Sequence, residues 1–116
     1  MKKIWLMMLA IVMSIGAAGC GSDANPVGTW HVHFDVSCDG TYGQTDWHIS
    51  SNGTFVDVRG DAGTWSVATA AITLTYSNGT VYSGTVENNN ASMSGRMNNA
   101  QGQPVCWDAT KISSTP

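Results

Sequence analysis

Three histidines have the residue type and spacing that would suit a metal site. His31 and His33 are two residues apart, so both point to the same face of a β-strand. A hairpin register that keeps the apolar faces together places His48 opposite His33, with Asp35 and Asp46 as neighbours. Three imidazoles beside carboxylates could bind zinc and leave one coordination position open.

The face that carries these histidines is predicted to be the outer one, where His and Asp are ordinary solvated residues. We therefore expect exposed side chains and no bound metal. His33 and His48 are predicted to be cross-strand neighbours, with His31 one pair further along. A metal-binding protein is the remote alternative.

No pattern typical of a catalytic centre stands out in the sequence. It has no nucleophile-elbow motif and no Gly-rich phosphate loop after a strand. Asp57, Asp61 and Glu87 are isolated carboxylates near predicted turns, where they are expected to aid solubility rather than to transfer protons. The sequence thus predicts a protein that is not an enzyme and needs no cofactor.

The first twenty residues have the pattern of an export signal. Lys2 and Lys3 precede an apolar run from Ile4 to Ile15, and four small residues then lead to Cys20. The small residues and the cysteine resemble a bacterial lipobox. This resemblance implies cleavage before Cys20 and attachment of a lipid to its thiol.

The predicted organisation follows from this signal. It comprises a signal peptide at residues 1–19, a lipidated tether at 20–26 and one domain at 27–116. Secretion without a lipid and a retained anchor are the alternatives, although the apolar run is shorter than the roughly 20 residues that a spanning helix needs. Gly21 follows the cysteine where Asp would signal inner-membrane retention in enteric bacteria, which implies the outer membrane of the cell envelope.

The net charge of the chain indicates which classes of partner it can bind. Without Lys2 and Lys3 the chain keeps three basic residues against eight acidic ones, a net charge of −5. Phosphate backbones and anionic headgroups would repel such a chain, which disfavours nucleic-acid binding and electrostatic docking on a membrane. Membrane contact is therefore expected through the acyl chains on Cys20.

Cys38 and Cys106 remain as an even pair if Cys20 is acylated. An exported protein folds in an oxidising compartment, so a disulfide between them is expected. A zinc site is the alternative, but two isolated cysteines without a CxxC motif support it only weakly.

Beyond residue 26 the sequence is a series of short segments rich in Val, Ile, Thr, Trp and Tyr, separated by turns. Asn52-Gly53 and Asn78-Gly79 are the strongest turn signals, since both residue types tolerate positive φ. Eight strands and no helix are predicted, at residues 28–36, 45–50, 54–59, 63–68, 71–76, 80–87, 91–97 and 105–112.

Alternating apolar residues indicate one buried and one exposed face on each strand. The expected inward residues are Trp30, Val32, Phe34, Val36, Trp47, Ile49, Trp65, Val67, Ile72, Leu74, Tyr76, Tyr82, Val86, Met93, Met97, Trp107 and Ala109. In the third strand the register stays open. Phe55 shares one face with Asp57 and Arg59, and Val56 and Val58 share the other.

The two cysteines bear on whether the sheet closes. In an up-and-down barrel the first and last strands lie antiparallel side by side, so the end of the first meets the start of the last. Cys38 and Cys106 fall at these two places. The predicted fold is therefore all-β, a single closed eight-stranded antiparallel up-and-down barrel.

Gly28-Thr29-Trp30 and Lys111 resemble the lipocalin and avidin superfamily of β-barrels. The resemblance implies that the Gly-x-Trp motif opens the barrel and that Lys111 covers Trp30 at its closed end. Segments such as Gly63-Thr64-Trp65-Ser66 also resemble small lipocalin-like lipoproteins of bacteria. The chain has no room for the outer helix and large loops of lipocalins, so the identity of a ligand does not carry over.

The leading hypothesis is a noncatalytic binding or carrier module for a small apolar ligand at the open end of the barrel. The candidate ligand-facing residues are Trp47, Trp65, Tyr76, Tyr82 and Trp107. If these rings fill the interior, the alternative is an interaction protein that acts through its loops, such as an inhibitor of proteases or lysozyme. Cavity volume separates the two hypotheses, because ligand sites are typically about 300 Å³ or more.

Overall fold

The computed structural model describes residues 23–40, 42–98 and 101–116. The predicted signal peptide and Cys20 lie outside the described residues. Within these ranges the chain forms no helix, and so no helix that could cross a bilayer. Its strands are β1 (Gly28–Val36), β2 (Tyr42–Ile49), β3 (Thr54–Asp57), β4 (Ala62–Ala68), β5 (Ala71–Tyr76), β6 (Val81–Glu87), β7 (Ser92–Asn98) and β8 (Pro104–Ser113).

The eight strands form a closed barrel. Each strand pairs antiparallel with its neighbours in sequence, and β8 also pairs with β1. This topology confirms the predicted fold class. The expected disulfide is also confirmed: it joins Cys38 to Cys106, whose Cα atoms are 5.3 Å apart. It lies where the end of β1 meets the start of β8.

The barrel has two different ends. The connections from β1 to β2, β3 to β4, β5 to β6 and β7 to β8 lie at one end, which we call the open end. The other connections lie at the opposite end, which we call the closed end. The segment that precedes β1 and the segment that follows β8 also lie there.

The segment ahead of β1 covers the closed end. Ala24 N donates a hydrogen bond to Thr69 O at 2.7 Å. Trp30 is fully buried, and its indole Nε1 donates to Pro26 O at 2.8 Å. The chain therefore blocks the barrel at the end where β1 begins.

The Gly-x-Trp segment packs against the last strand. Gly28 has a φ of 143°, and a Cβ at this position would overlap the carbonyl oxygen of Ser113, so only glycine fits. Lys111 Nζ lies 5.3 Å from the centroid of the Trp30 ring, within cation–π range. The structure thus brings Gly28, Trp30 and Lys111 together at the closed end.

Side chains fill the interior of the barrel. An eight-stranded barrel is just wide enough for its inward side chains. The residues at the centre, each at most 3% exposed, are Trp30, Val32, Trp47, Ile49, Phe55, Ile72, Leu74, Met93, Trp107 and Ala109. Gly84 and Gly95 pair across β6 and β7. A Cβ at Gly84 would lie only 2.7 Å from the Trp107 ring, and a Cβ at Gly95 would overlap the carbonyl oxygen of Ser83.

The strand expectations need two corrections at the open end. Val36 is 39% exposed rather than buried. The reason is that β1 ends at this residue: Ser37 and Cys38 have positive φ, and the Asp35 carboxylate accepts hydrogen bonds from Asp39 N and Gly40 N of the turn, at 3.0 and 2.8 Å. The other correction concerns β2, which begins at residue 42 instead of 45 and leaves a shorter connection to β1.

The register of β3, which the sequence left open, is settled by burial. Phe55 and Asp57 face inward and are 2% and 3% exposed. Val56 and Val58 face outward. The strand ends at Asp57, two residues earlier than predicted.

Candidate binding site at the open end

Four hydrogen-bonded side chains lead from the core to the open end of the barrel. Trp47 Nε1 donates to Tyr76 Oη at 2.8 Å, and Tyr76 Oη donates to Asp57 Oδ2 at 3.0 Å. Arg59 Nη2 donates to the same carboxylate oxygen at 2.8 Å. Because Trp47 is fully buried and the Arg59 side chain is 63% exposed, these contacts connect the interior with the surface.

The turn after β3 explains why a carboxylate is tolerated inside the barrel. Asp57 Oδ1 accepts hydrogen bonds from the backbone N–H groups of Arg59 and Asp61, at 2.9 and 3.1 Å. Gly60 adopts a φ of 89°, which the turn requires and which suits glycine. The carboxylate thus accepts four hydrogen bonds, and a buried charge persists when it is paired in this way.

The electrostatic surroundings fix the charge states at this end. Burial alone would raise the pKa of Asp57, but hydrogen bonds from Arg59 and Tyr76 and the positive charge of Arg59 outweigh it and lower this pKa. The hydrogen bond to Asp57 raises the pKa of Arg59. Burial raises the pKa of the Tyr76 and Tyr82 hydroxyls. At neutral pH the ion pair is therefore charged and both phenols keep their protons.

A pocket of about 160 Å³ opens beside these side chains. It lies between the β3–β4 and β5–β6 connections. Its lining residues are Arg59, Asp61, Tyr76, Asn78, Thr80 and Tyr82. The rings of Tyr76 and Tyr82, with centroids 5.9 Å apart, give the pocket an aromatic side. Charged, amide and hydroxyl groups complete the lining.

Aromatic rings close the barrel below the pocket. The Trp47 ring centroid lies 5.3 Å from that of Tyr82 and 5.3 Å from that of Trp107. The Phe55 ring lies 4.9 Å from that of Tyr76. These edge-to-face pairs are a favourable arrangement. Buried aromatic side chains thus occupy the interior beneath the two tyrosines that line the pocket.

Two wider depressions of the described surface lie elsewhere. One, of about 360 Å³, spreads over the outer side of β7 and β8. The other, of about 370 Å³, lies at the closed end between residues 23–24 and the β6–β7 turn. Of these three depressions, only the open-end pocket has the ion pair of the buried Asp57 with Arg59 and two inward tyrosines in or beside its lining, so we take it as the candidate site.

The five candidate ligand-facing residues lie at different depths. Tyr76 and Tyr82 line the pocket, and Trp47 lies beneath them. Trp107 is buried further along the interior, against β6 and β7. Trp65 lies away from the pocket, where its indole N–H donates to a carbonyl of the β2–β3 connection at 2.8 Å.

The histidines lie on the outer face, but their predicted pairing is wrong. His33 lies opposite Gln44, and His48 lies opposite Thr29. The early start of β2 shifts every pair of the hairpin relative to the predicted register. As a result Asp46 lies opposite His31 and is not a neighbour of Asp35.

Two of the histidines contact carboxylates on neighbouring strands. His31 Nδ1 lies 2.8 Å from Asp46 Oδ1, and His33 Nδ1 lies 3.5 Å from Asp108 Oδ1. The rings of His31 and His33 are 4.9 Å apart, edge to face. In the part of the chain that the structure describes, no group of three or more His, Cys, Asp or Glu side chains is arranged to hold a metal ion.

Asp57 and Arg59 are the site residues that the sequence interpretation missed. The expectation that Asp57 is a solvated turn residue is wrong, because its side chain is buried. The sequence does contain a signal for the inward position of Asp57. Side chains two residues apart share one face of a strand, so if Phe55 faces the core, Asp57 must face it too. Arg59, two residues further on, then supplies the neutralising charge.

Comparisons with known proteins bear on the fold. No family model and no curated protein matches the sequence. Among solved structures, the chain is similar to "a redesigned beta barrel, mFAP1, bound to DFHBI", with a TM-score of 0.50 and 20% identity over 74% of this chain and 94% of that one. The chain shares this barrel fold. A second redesigned barrel, b11L5F_LGL, gives a TM-score of 0.49 and 14% identity over 74% and 90%.

Replacing Asp57 by Asn should destabilise the protein by about 2 kcal/mol at neutral pH, because charge-assisted hydrogen bonds are lost. The folded-state pKa of Asp57 lies below its unfolded value of about 3.9. The ionised carboxylate therefore stabilises the fold above that pH, and this stabilisation is lost as the pH falls through the folded-state pKa. Urea unfolding of both proteins at about pH 7 and about pH 2.5 measures the difference.

Asp61→Asn is the matched control for this experiment. Asp61 Oδ2 lies 3.7 Å from Arg59 Nη2, and its side chain is 62% exposed. Its replacement should change the free energy of unfolding by less than about 0.5 kcal/mol. Equal effects of the two substitutions at neutral pH, or a penalty for Asp57→Asn that is undiminished at acid pH, would contradict the stabilising role of the buried Asp57 carboxylate.

Proposed function

We propose that the protein is a noncatalytic, lipid-anchored protein of the bacterial cell envelope that binds a small ligand at the open end of its barrel. The observation that carries the proposal is the pocket beside Tyr76 and Tyr82. Its walls are held by the buried contact of Asp57 with Arg59. Groups that a second layer of contacts fixes in place are suited to binding, since little freedom is lost when the ligand arrives.

The size of the pocket limits the ligand to about one ring. In another protein a cavity of about 150 Å³ binds benzene, whereas drug-sized ligands typically occupy about 300 Å³ or more. The open-end pocket, at about 160 Å³, is close to the first value. The filled interior argues against a carrier that encloses a long apolar molecule.

The state of Asp57 supports binding rather than catalysis. A general acid or base works best with a pKa near the operating pH. The pKa of Asp57 is instead lowered, and both oxygens of its carboxylate already accept hydrogen bonds. Its role is to hold Arg59 and the turn.

The anchor and the envelope location rest on the sequence around Cys20. The path of residues 23–27 across the closed end supports them, because a tether from Cys20 would then reach the barrel opposite the pocket. Each intervening residue spans at most about 3.5 Å. The barrel would thus stand close to its membrane with the pocket facing away.

An interaction protein that acts through its open-end loops is the second candidate, and the filled interior favours it. Val58, in the β3–β4 connection, is 60% exposed and offers apolar surface there. Under this alternative the purified protein inhibits a lysozyme or a protease, and substitution of Val58 by Asp weakens the inhibition. Under the first candidate, compounds of one ring bind and inhibition is absent.

Single-ring compounds should bind at the open end and shift the Trp47 indole N–H resonance in ¹H–¹⁵N NMR spectra. This group donates to Tyr76, which lines the pocket. Thr80→Phe should abolish the shift, because Thr80 also lines the pocket and the larger side chain would occupy it.

Thr85→Phe is the control, since it places the same side chain on the exposed outer face of β6. This variant should bind single-ring compounds like the unaltered protein. The proposal fails if no such compound shifts the Trp47 resonance, or if Thr80→Phe and Thr85→Phe bind equally well.

Cys20→Ser should move the protein from the membrane fraction to the soluble fraction, because the acyl chains would be lost. Ser22→Ala, two residues further on, should leave the distribution unchanged. Mass spectrometry of the membrane-bound protein should find diacylglycerol on Cys20. An unmodified Cys20 in the membrane fraction would contradict the anchor.

A further inference from the structure

Two side chains in the lining of the open-end pocket, Arg59 and Tyr82, have hydrogen-bond donors with no acceptor among the described residues. Within the described part of the chain, Arg59 uses only its Nη2 group, which donates to Asp57, and its Nε and Nη1 groups make no hydrogen bond. Tyr82 Oη makes none either, although its ring is packed against Trp47 and Tyr76. The Tyr82 hydroxyl belongs to a partly buried side chain, and such groups normally find a partner. The Arg59 side chain is 63% exposed, so water occupies its free donors until a ligand replaces it. The pocket therefore offers donors that call for an acceptor-rich ligand.

We infer that the pocket selects a small ring that carries a carboxylate. The carboxylate binds Arg59 and the Tyr82 hydroxyl, and the ring packs against Tyr76. This inference rests on the proposed function and specifies the ligand class of the same site. A carboxylate suits the donors because it is planar and has two acceptor oxygens, and its hydrogen bonds to a guanidinium are charge-assisted.

The fixed charge that a ligand can reach is the positive one, because the carboxylate of Asp57 is buried and both of its oxygens already accept hydrogen bonds. Arg59 cannot swing away without leaving the buried carboxylate of Asp57 without its cation, which is costly. Asp61 is different: its carboxylate is 62% exposed, lies 3.7 Å from Arg59 and makes no hydrogen bond with the described residues. Asp61 can therefore rotate into water when an anion binds, whereas Arg59 stays in place.

The free donors of the pocket also favour an anionic ligand over a cationic or a neutral one. A ring that carries an ammonium group would bring a second cation beside Arg59 and would leave the free donors of Arg59 without acceptors. A ring with a single hydroxyl group can satisfy only part of them. The burial of Tyr82 keeps its hydroxyl protonated, so it can donate to an anion.

Titration of the purified protein with three ring-sized probes tests the inference: benzoate, benzyl alcohol and benzylamine. Calorimetry gives the affinities, and the Trp47 indole N–H resonance reports binding at the open end. Benzoate should bind about tenfold or more tightly than benzyl alcohol, as expected for charge-assisted hydrogen bonds. Benzylamine should bind most weakly.

Three substitutions test whether Arg59, Tyr82 and Asp61 cause the preference for benzoate. Arg59→Gln should reduce benzoate affinity to that of benzyl alcohol. Tyr82→Phe keeps the ring and removes the hydroxyl, so it should weaken benzoate binding by a smaller factor. Asp61→Asn should tighten benzoate binding, because it removes a nearby negative charge. This last variant alters an exposed side chain and keeps the test valid if Arg59→Gln does not fold.

The outcomes distinguish this inference from the proposed function. Equal affinities for benzoate and benzyl alcohol would overturn the carboxylate inference and leave small-ligand binding at the open end intact. Tightest binding of benzylamine, weakened by Asp61→Asn, would overturn it in favour of a cationic ligand. If none of the three probes binds, both the inference and the proposed function fail.

Discussion

The buried carboxylate of Asp57 holds the open end of the barrel in one arrangement. It accepts hydrogen bonds from the β3–β4 turn, from the Tyr76 hydroxyl and from Arg59. A charge inside a protein persists only while such partners remain, so each group is fixed by the need to satisfy the carboxylate. The pocket is consequently walled in part by side chains that the core positions, although it lies among surface turns.

The narrow interior of an eight-stranded barrel also restricts where a ligand can bind. Trp47, Phe55 and Trp107 are the largest side chains among those that fill the interior near the site, and Gly84 is required because a Cβ there would overlap the Trp107 ring. This packing stabilises the fold by removing aromatic surface from water. It also confines any ligand to the rim, where the pocket is about as large as one ring.

Local periodicity and topology were sufficient to predict the strands, most of the core and closure through Cys38 and Cys106. The hairpin of β1 and β2 could not be predicted in the same way, because several registers keep the apolar faces together. In the structure the adopted register goes with a short connection in which Asp35 accepts hydrogen bonds from Asp39 N and Gly40 N. The inward position of Asp57 could not be predicted for a related reason. The valines of β3 favour one face of the strand as the buried one, and Phe55 favours the face that also carries the charged residues. The carboxylate lies inside because Tyr76 and Arg59 reach it in the folded barrel.

The pKa of Asp57 tests the central claim most directly. A pH titration of its side-chain carboxyl ¹³C resonance can be carried out on the unaltered protein and on Arg59→Gln. The account predicts a pKa below the usual value of about 3.9 in the unaltered protein. It predicts a higher pKa in Arg59→Gln, because burial then acts without its neutralising partner. A pKa at or above the usual value in the unaltered protein, or no change in the variant, would contradict the pairing of the buried Asp57 with Arg59 on which the open end depends.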